Sequence, residues 1–253
     1  HRQVMAMMLE SEVQALEVRS KLVNGEDFGE LAEELSLELF SKNKGGDIGW
    51  VPRVILQDIL QTSIVDDIFN HEVGELSQPI YDEDAQKGVG YWLVEVLERN
   101  EEEDETHLQI MLLGSEDEAQ NIKKQLEAGA DWSDLAIEHS QIEGVEDNLG
   151  EYQVSEGMSA PLIDEFAYSP DTEIGVISEP LRDPDMLTKG GYWLIKVLDE
   201  DTNRRIDTEY RDYLKTKALN EWMASLMDDG DNEIVNYLDE EKKSWAVEQA
   251  MKG

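Results

Sequence analysis

An α+β architecture, in two tandem copies of one small domain followed by a helical C-terminal segment, is what this 253-residue chain predicts. Three features carry that reading. The octet GYWLVEVL (90–97) returns as GYWLIKVL (191–198), 101 positions on, with the alternating side chains of a strand. Around it an ordered set repeats: GEDFGELAEELS (25–36) answers GADWSDLAIEHS (129–140), DIGW (47–50) answers NLGE (148–151), and GELSQPI (74–80) answers GVISEPL (175–181). Beyond residue 201 the periodicity turns helical. The expected boundaries are a first domain at 1–99, an acidic linker NEEEDE at 100–105, a second and more diverged domain at 106–201, and a helical segment at 202–253.

Each copy opens on an apolar strand, the first within QVMAMMLES. Ser11 with Gln14, and Ser115 with Glu118, then stand at capping-box spacing, where a side-chain oxygen satisfies an orphan amide at a helix start. The next helix carries Phe28, Leu31, Ala32 and Leu35 on one stripe, as its copy carries Trp132, Leu135, Ala136 and His139. A glycine-rich turn, KGGDIGW, leads into a second strand, and the copy closes on the GYW strand. There Trp92, Val94 and Val96 point one way and Tyr91, Leu93 and Leu97 the other. Helices packed on a mostly antiparallel sheet of about four strands are expected for each copy. In the C-terminal segment, residues 209–227 place Tyr210, Tyr213, Leu214, Ala218, Trp222 and Leu226 near helical spacing, and 232–251 predict one or two further helices. Between them Asp229, Asp231 and Glu240 have EF-hand-like offsets, but Ile234 stands where that loop needs glycine, so a turn followed by an Asn232 cap is expected instead.

Composition narrows the function classes. With 59 acidic against 21 basic residues and a formal charge of -38, the chain repels phosphate backbones and anionic lipid alike, which argues against nucleic-acid and membrane-surface partners. The absence of cysteine removes disulfides, zinc-thiolate sites and a cysteine nucleophile. No cofactor or metal is expected, and no apolar run approaches the roughly 18 residues that span a bilayer. The chain starts directly on a strand-like segment, which reads as a piece of something longer.

The ordered set of an apolar first strand, DFGELAEELS, KGGDIGW, GELSQPI and GYWLVEVL resembles a parvulin-type (PpiC, rotamase) peptidyl-prolyl isomerase domain, and the second copy resembles a diverged one. The helical tail is similar to the segment that accompanies such domains in extracytoplasmic foldases of the SurA and PrsA kind. The resemblance implies rotation about X-Pro bonds, polypeptide clients that are unfolded or contain proline, and an extracytoplasmic place, secreted or in the cell envelope, with anchoring upstream of His1 among the arrangements it allows. It also implies site positions. The first-strand histidine of the family falls on Ala6 and Ile110, the closing-strand histidine on Trp92 and Trp193, and the cysteine or aspartate position near Glu38 and Ile142. Glu38 is thus the one candidate catalytic residue. For the apolar client pocket the resemblance implies Met158, Leu162, Phe166 and Trp193 in the second copy, with Met158 and Leu162 on one helical face, and Leu56, Leu60, Phe69 and Trp92 in the first.

Each of those apolar residues also fits a plain core role, since methionine on a helix and tryptophan in a strand usually pack. His71, His107 and His139 fall away from the mapped positions. Two functional readings follow: a binding module that holds extended polypeptide, or an active isomerase working by shape and desolvation with Glu38. Replacement of both histidines in both copies favours the first.

Overall fold

The computed structural model describes residues 1–60, 64–100, 105–228, 242 and 245. The chain divides into two compact units, His1–Arg204 and Arg205–Gly253. In the first unit the elements run β1 (Arg2–Leu9), α1 (Glu12–Val23), α2 (Phe28–Leu35), the single turn α3 (Leu39–Lys42), β2 (Asp47–Val51), α4 (Arg53–Leu60), α5 (Ile64–Asn70) and the long strand β3 (Ile80–Asn100). The order then repeats as β4 (Glu105–Leu113), α6 (Glu116–Glu127), α7 (Trp132–His139), the single turn α8 (Val145–Asn148), β5 (Glu151–Ser155), α9 (Pro161–Ala167) and the long strand β6 (Leu181–Glu200).

Local chemistry sets the helix starts in both copies. Ser11 Oγ accepts from Gln14 N at 3.1 Å while Gln14 Oε1 reaches back to Glu10 N at 3.0 Å. Ser115 Oγ accepts from Glu118 N at 3.3 Å and Glu118 Oε2 from Gly114 N at 2.9 Å, so the expected capping boxes form at equivalent places. Asp27 and Asp131 cap α2 and α7 through Glu30 N and Asp134 N.

The strands form one antiparallel sheet ordered β2-β1-β6-β3-β4-β5. On one side of it, Met7 and Leu9 pack with Ala15, Val18, Phe28, Leu31 and Ala32 of α1 and α2. The equivalent Met111 and Leu113, with Tyr91 and Leu93, pack with Ala119, Ile122, Trp132, Leu135 and Ala136 of α6 and α7. On the other side Trp92, Val94 and Val96 join Leu108, Ile110 and Leu112 beneath Ile163 and Ala167 of α9. The alternation expected for the GYW strand therefore holds.

The sheet differs from the expectation in one large respect. Sheets closed separately within 1–99 and 106–201 are not what forms: six strands are continuous through both copies, and the closing strands are exchanged. Tyr192, Trp193, Ile195 and Val197 of β6 pair with Leu9, Met8, Ala6 and Val4 of β1. Tyr91, Trp92, Val94 and Val96 of β3 pair with Leu113, Leu112, Ile110 and Leu108 of β4. At the centre β3 and β6 pair with each other, Ile80 opposite Trp193 and Trp92 opposite Leu181, so the sheet has a pseudo-twofold arrangement about this seam. The physical reason is that the two octets differ only at Val94/Ile195 and Glu95/Lys196. Either strand fills either slot, and hydrophobic pattern cannot choose between them. Each half of the sheet, β2-β1-β6 and β3-β4-β5, is thus completed by the other copy.

In the second unit α10 (Thr208–Asp228) covers the helix expected at 209–227, with Leu219, Trp222, Met223 and Leu226 exposed along it. The expected turn with Asp229, Asp231, Asn232 and Glu240, and nearly all of the 232–251 segment, lie outside the described residues, as do residues 101–104 of the acidic linker.

Candidate functional site

In the β3-β4-β5 half, the positions implied by the resemblance meet in one place. Trp92 from the first copy and Ile110 from the second lie on the same face of neighbouring strands, and Ile142 packs against the cluster they form. Phe166 of α9 closes its side, together with Leu181 and Met186 from the start of β6. The Trp92 indole is 6% exposed, and its Nε1 donates to Asp183 Oδ2 at 3.0 Å. A buried indole N–H needs such a partner. Asp183 Oδ1 in turn accepts from Asp185 N at 3.0 Å, which holds the carboxylate in place.

The other half repeats the arrangement with less access. Trp193 is 1% exposed and donates to Asp82 Oδ2 at 3.2 Å. Ala6 lies opposite Ile195, on the Trp193 face of β1 and β6. Glu38 is the N-cap of α3, its two oxygens accepting from Phe40 N at 2.8 Å and Ser41 N at 2.6 Å. Its charge is therefore committed to the backbone.

The remaining candidates fall in different settings. Leu56 and Leu60 are buried. Phe69 is half-buried between the guanidinium groups of Arg2 and Arg53, whose Cζ atoms stand 5.8 and 5.3 Å from its ring centre. Met158 is 78% exposed and lies in the bend before α9, because Pro161 starts that helix at its first turn. Met158 and Leu162 consequently do not share a helical face, as the sequence had led one to expect; Leu162 and Phe166 do. A hollow of about 480 Å³ beside α9 is lined by Glu156, Asp164 and Glu165 together with Tyr168 and Ser169, so three carboxylates gather there.

Sequence reasoning missed two groups. Asp82 and Asp183 stand 101 positions apart, the same offset as their tryptophans, so the repeat itself carried the signal. The second group lies at the seam. Lys87 is 2% exposed, and its Nζ donates to the carbonyls of Lys189 and Gly190. Burial lowers this amine to about 8, with Glu10 and Glu118 pulling the other way. Tyr91 Oη donates to Glu10 at 3.2 Å. Burial, and then the Glu10 charge, push the Tyr91 phenol up to about 12, and burial also raises the Glu10 carboxyl. A cavity of about 540 Å³ opens over these groups between Tyr81, Tyr192 and Glu118. Nothing in the sequence marks Lys87 apart from other lysines, because only the strand exchange buries it.

Comparison with known proteins places the first copy beside one family. Residues 8–98 match the Rotamase family model, described as the PPIC-type PPIASE domain. The foldase protein PrsA 4 of Bacillus cereus is 30% identical over 126 residues, 49% of this chain and 38% of that protein. The foldase protein PrsA of Oceanobacillus iheyensis is 31% identical over 125 residues, 49% of this chain and 36% of the relative. The periplasmic chaperone PpiD of Buchnera aphidicola subsp. Schizaphis graminum is 38% identical over 52 residues, 21% and 8% of the respective chains. The chain thus spans well under half the length of these relatives. A crystal structure of PrsA from Bacillus anthracis aligns over 96% of this chain and 88% of its own at 18% identity, with a TM-score of 0.28 that carries no argument about arrangement.

Proposed function

Residues 8–98 carry a parvulin-type rotamase domain, and from that premise we propose that the protein is a foldase or chaperone module that holds extended or unfolded polypeptide and twists prolyl bonds poorly. Rotation about X-Pro must cross a barrier of about 18–20 kcal/mol, so a catalyst has to favour the twisted amide with polar groups while gripping the ring. The observation that carries the reading is the apolar cluster around Trp92, Ile110, Ile142 and Phe166. It is apolar where polar groups are needed, and its one donor, the indole N–H, is spent on Asp183. Its half-buried members, Ile142, Phe166, Leu181 and Met186, offer apolar area to apolar and proline-containing segments, and the carboxylates beside α9 add a salt-sensitive attraction for basic ones. In keeping with the relatives named as foldases and a periplasmic chaperone, we place it outside the cytoplasm. Among the described residues no helix is long and apolar enough to cross a membrane.

Exchange NMR on a prolyl peptide, alongside titration of an unfolded basic client, tests the proposal on the whole chain. Isomerisation near the uncatalysed rate is expected, with client binding weakened about tenfold by Phe166→Ala and partly by salt, that factor corresponding to about 1.4 kcal/mol of lost apolar contact. Efficient isomerisation would favour the alternative, an active isomerase, which the family match over the Glu38-bearing copy supports. Unchanged binding by a folded Phe166→Ala chain would remove this apolar cluster as the client site.

A further inference from the structure

The segments that carry the exchange are built to turn back as well as to run through. Residues 83–89 and 184–190 lie between the tail of each copy and its closing strand, seven residues in each case. Hairpin loops need only about two to five. Each segment follows an aspartate whose side chain accepts from the backbone two residues on, Asp84 N to Asp82 at 3.2 Å and Asp185 N to Asp183 at 3.0 Å, a turn-starting device. Each carries glycine at or near its end, Gly88 in one, just before Val89 and Gly90, and Gly190 at φ +80 in the other. The slots are as interchangeable as the strands. Asp183 would meet Trp193 in a returned strand as it meets Trp92 now, and Ser178 would bind the same place on it, as Ser178 binds Val94 and Ser77 binds Ile195 in the exchanged sheet.

What differs between the two pairings is the seam. Lys87 to the carbonyls of Lys189 and Gly190, Thr188 Oγ1 to Val89 O and Ser11 to Asp117 are bonds between copies, and Tyr91 to Glu10 ties the β3-β4-β5 half to the end of β1. We propose that the exchange is reversible, that these seam bonds latch the exchanged form, and that releasing them lets each copy take back its own closing strand and separates the two halves of the sheet. A chain that opens in this way holds its two halves either fixed about one seam or as two independently moving domains.

The chain has no cysteine, so introduced pairs report strand pairing without background. Met5 lies opposite Lys196 in the exchanged sheet, and a returned strand brings Glu95, the equivalent residue, to the same place. In the whole chain under native oxidising conditions, Met5→Cys with Lys196→Cys should close rapidly within one molecule. Met5→Cys with Glu95→Cys should close slowly as the returned form is trapped, and several-fold faster when Lys87→Met and Thr188→Val remove seam bonds. Closure of that second pair no better than a Met5→Cys, Glu127→Cys control overturns the proposal, as does its appearance only as a disulfide-linked dimer. If the seam variant fails to fold by circular dichroism, trapping in the chain with the native seam decides the matter, because disulfide closure accumulates even a minor form.

Discussion

Glu38 shows how a residue that looks chemical from the sequence becomes architectural in the fold. Both oxygens accept from amides at the start of α3, and a charged acceptor holding two N–H groups makes a strong cap. Glu38→Ala should therefore lower stability by about 1 kcal/mol, in the range measured for caps, while leaving client binding and any residual isomerisation unchanged. Urea unfolding beside the exchange assay separates the two. A variant of full stability that loses isomerisation would restore Glu38 to a catalytic part. The tryptophans make the complementary point. An indole where a family histidine is expected reads as simple replacement, yet each brings an aspartate with it, and the pair was visible only as a shared 101-residue offset.

Elements were legible wherever one copy confirmed the other. The caps of α1 and α6, the stripes of α2 and α7 and the faces of the closing strand follow from local spacing, which tertiary context had no reason to override. The start of α9 was not: a proline three residues past Met158 fixes the helix later than the pocket resemblance implied. The turn into β2 gives a test of how tightly such elements close. Gly46 has φ +77, and a Cβ there would meet Phe28 Cε1 at 2.7 Å and Ala32 Cβ at 3.2 Å. In the fold its counterpart is Gly150, whose carbonyl accepts from Ile110 N as that of Gly46 accepts from Ala6 N, so the expected match of DIGW with NLGE is out of register by three. At φ +79 a Cβ on Gly150 would meet Ala136 Cβ and Trp132 Nε1 no closer than 3.1 Å. Left-handed backbone costs either alanine about 1–2 kcal/mol, and only Gly46→Ala adds displacement of a buried ring, for which about 1–3 kcal/mol more is typical. Gly46→Ala should thus be the more destabilising of the two in urea; the reverse order would mean that the Phe28 ring yields freely.

For the whole molecule, the connection between copies was the part that sequence could not carry. Two nearly identical strands specify a slot but not which copy fills it, and the answer lies in polar contacts that exist only after assembly. Those contacts make a prediction about pH. Lys87 is held at about 8 against about 10.4 for an unburied lysine. The groups facing it are Glu10, just past the end of β1, and Glu118 from α6, with Tyr91 and Arg182 beside Glu10. Since the folded value lies below the unfolded one, the unfolded chain binds more protons between those values, and stability rises with pH across that window. Below about pH 8 the buried ammonium carries its full desolvation cost; above it that cost is relieved as the amine becomes neutral. The neutral amine keeps two hydrogens, enough for the carbonyls of Lys189 and Gly190, so the latch survives deprotonation. Tyr91, pushed up to about 12, titrates above this range. The stability of the native chain minus that of Lys87→Met, from urea unfolding at steps from pH 7 to 10, should therefore climb through pH 8 to 10. A flat difference would mean that Lys87 stays solvated and that the seam does not close over it.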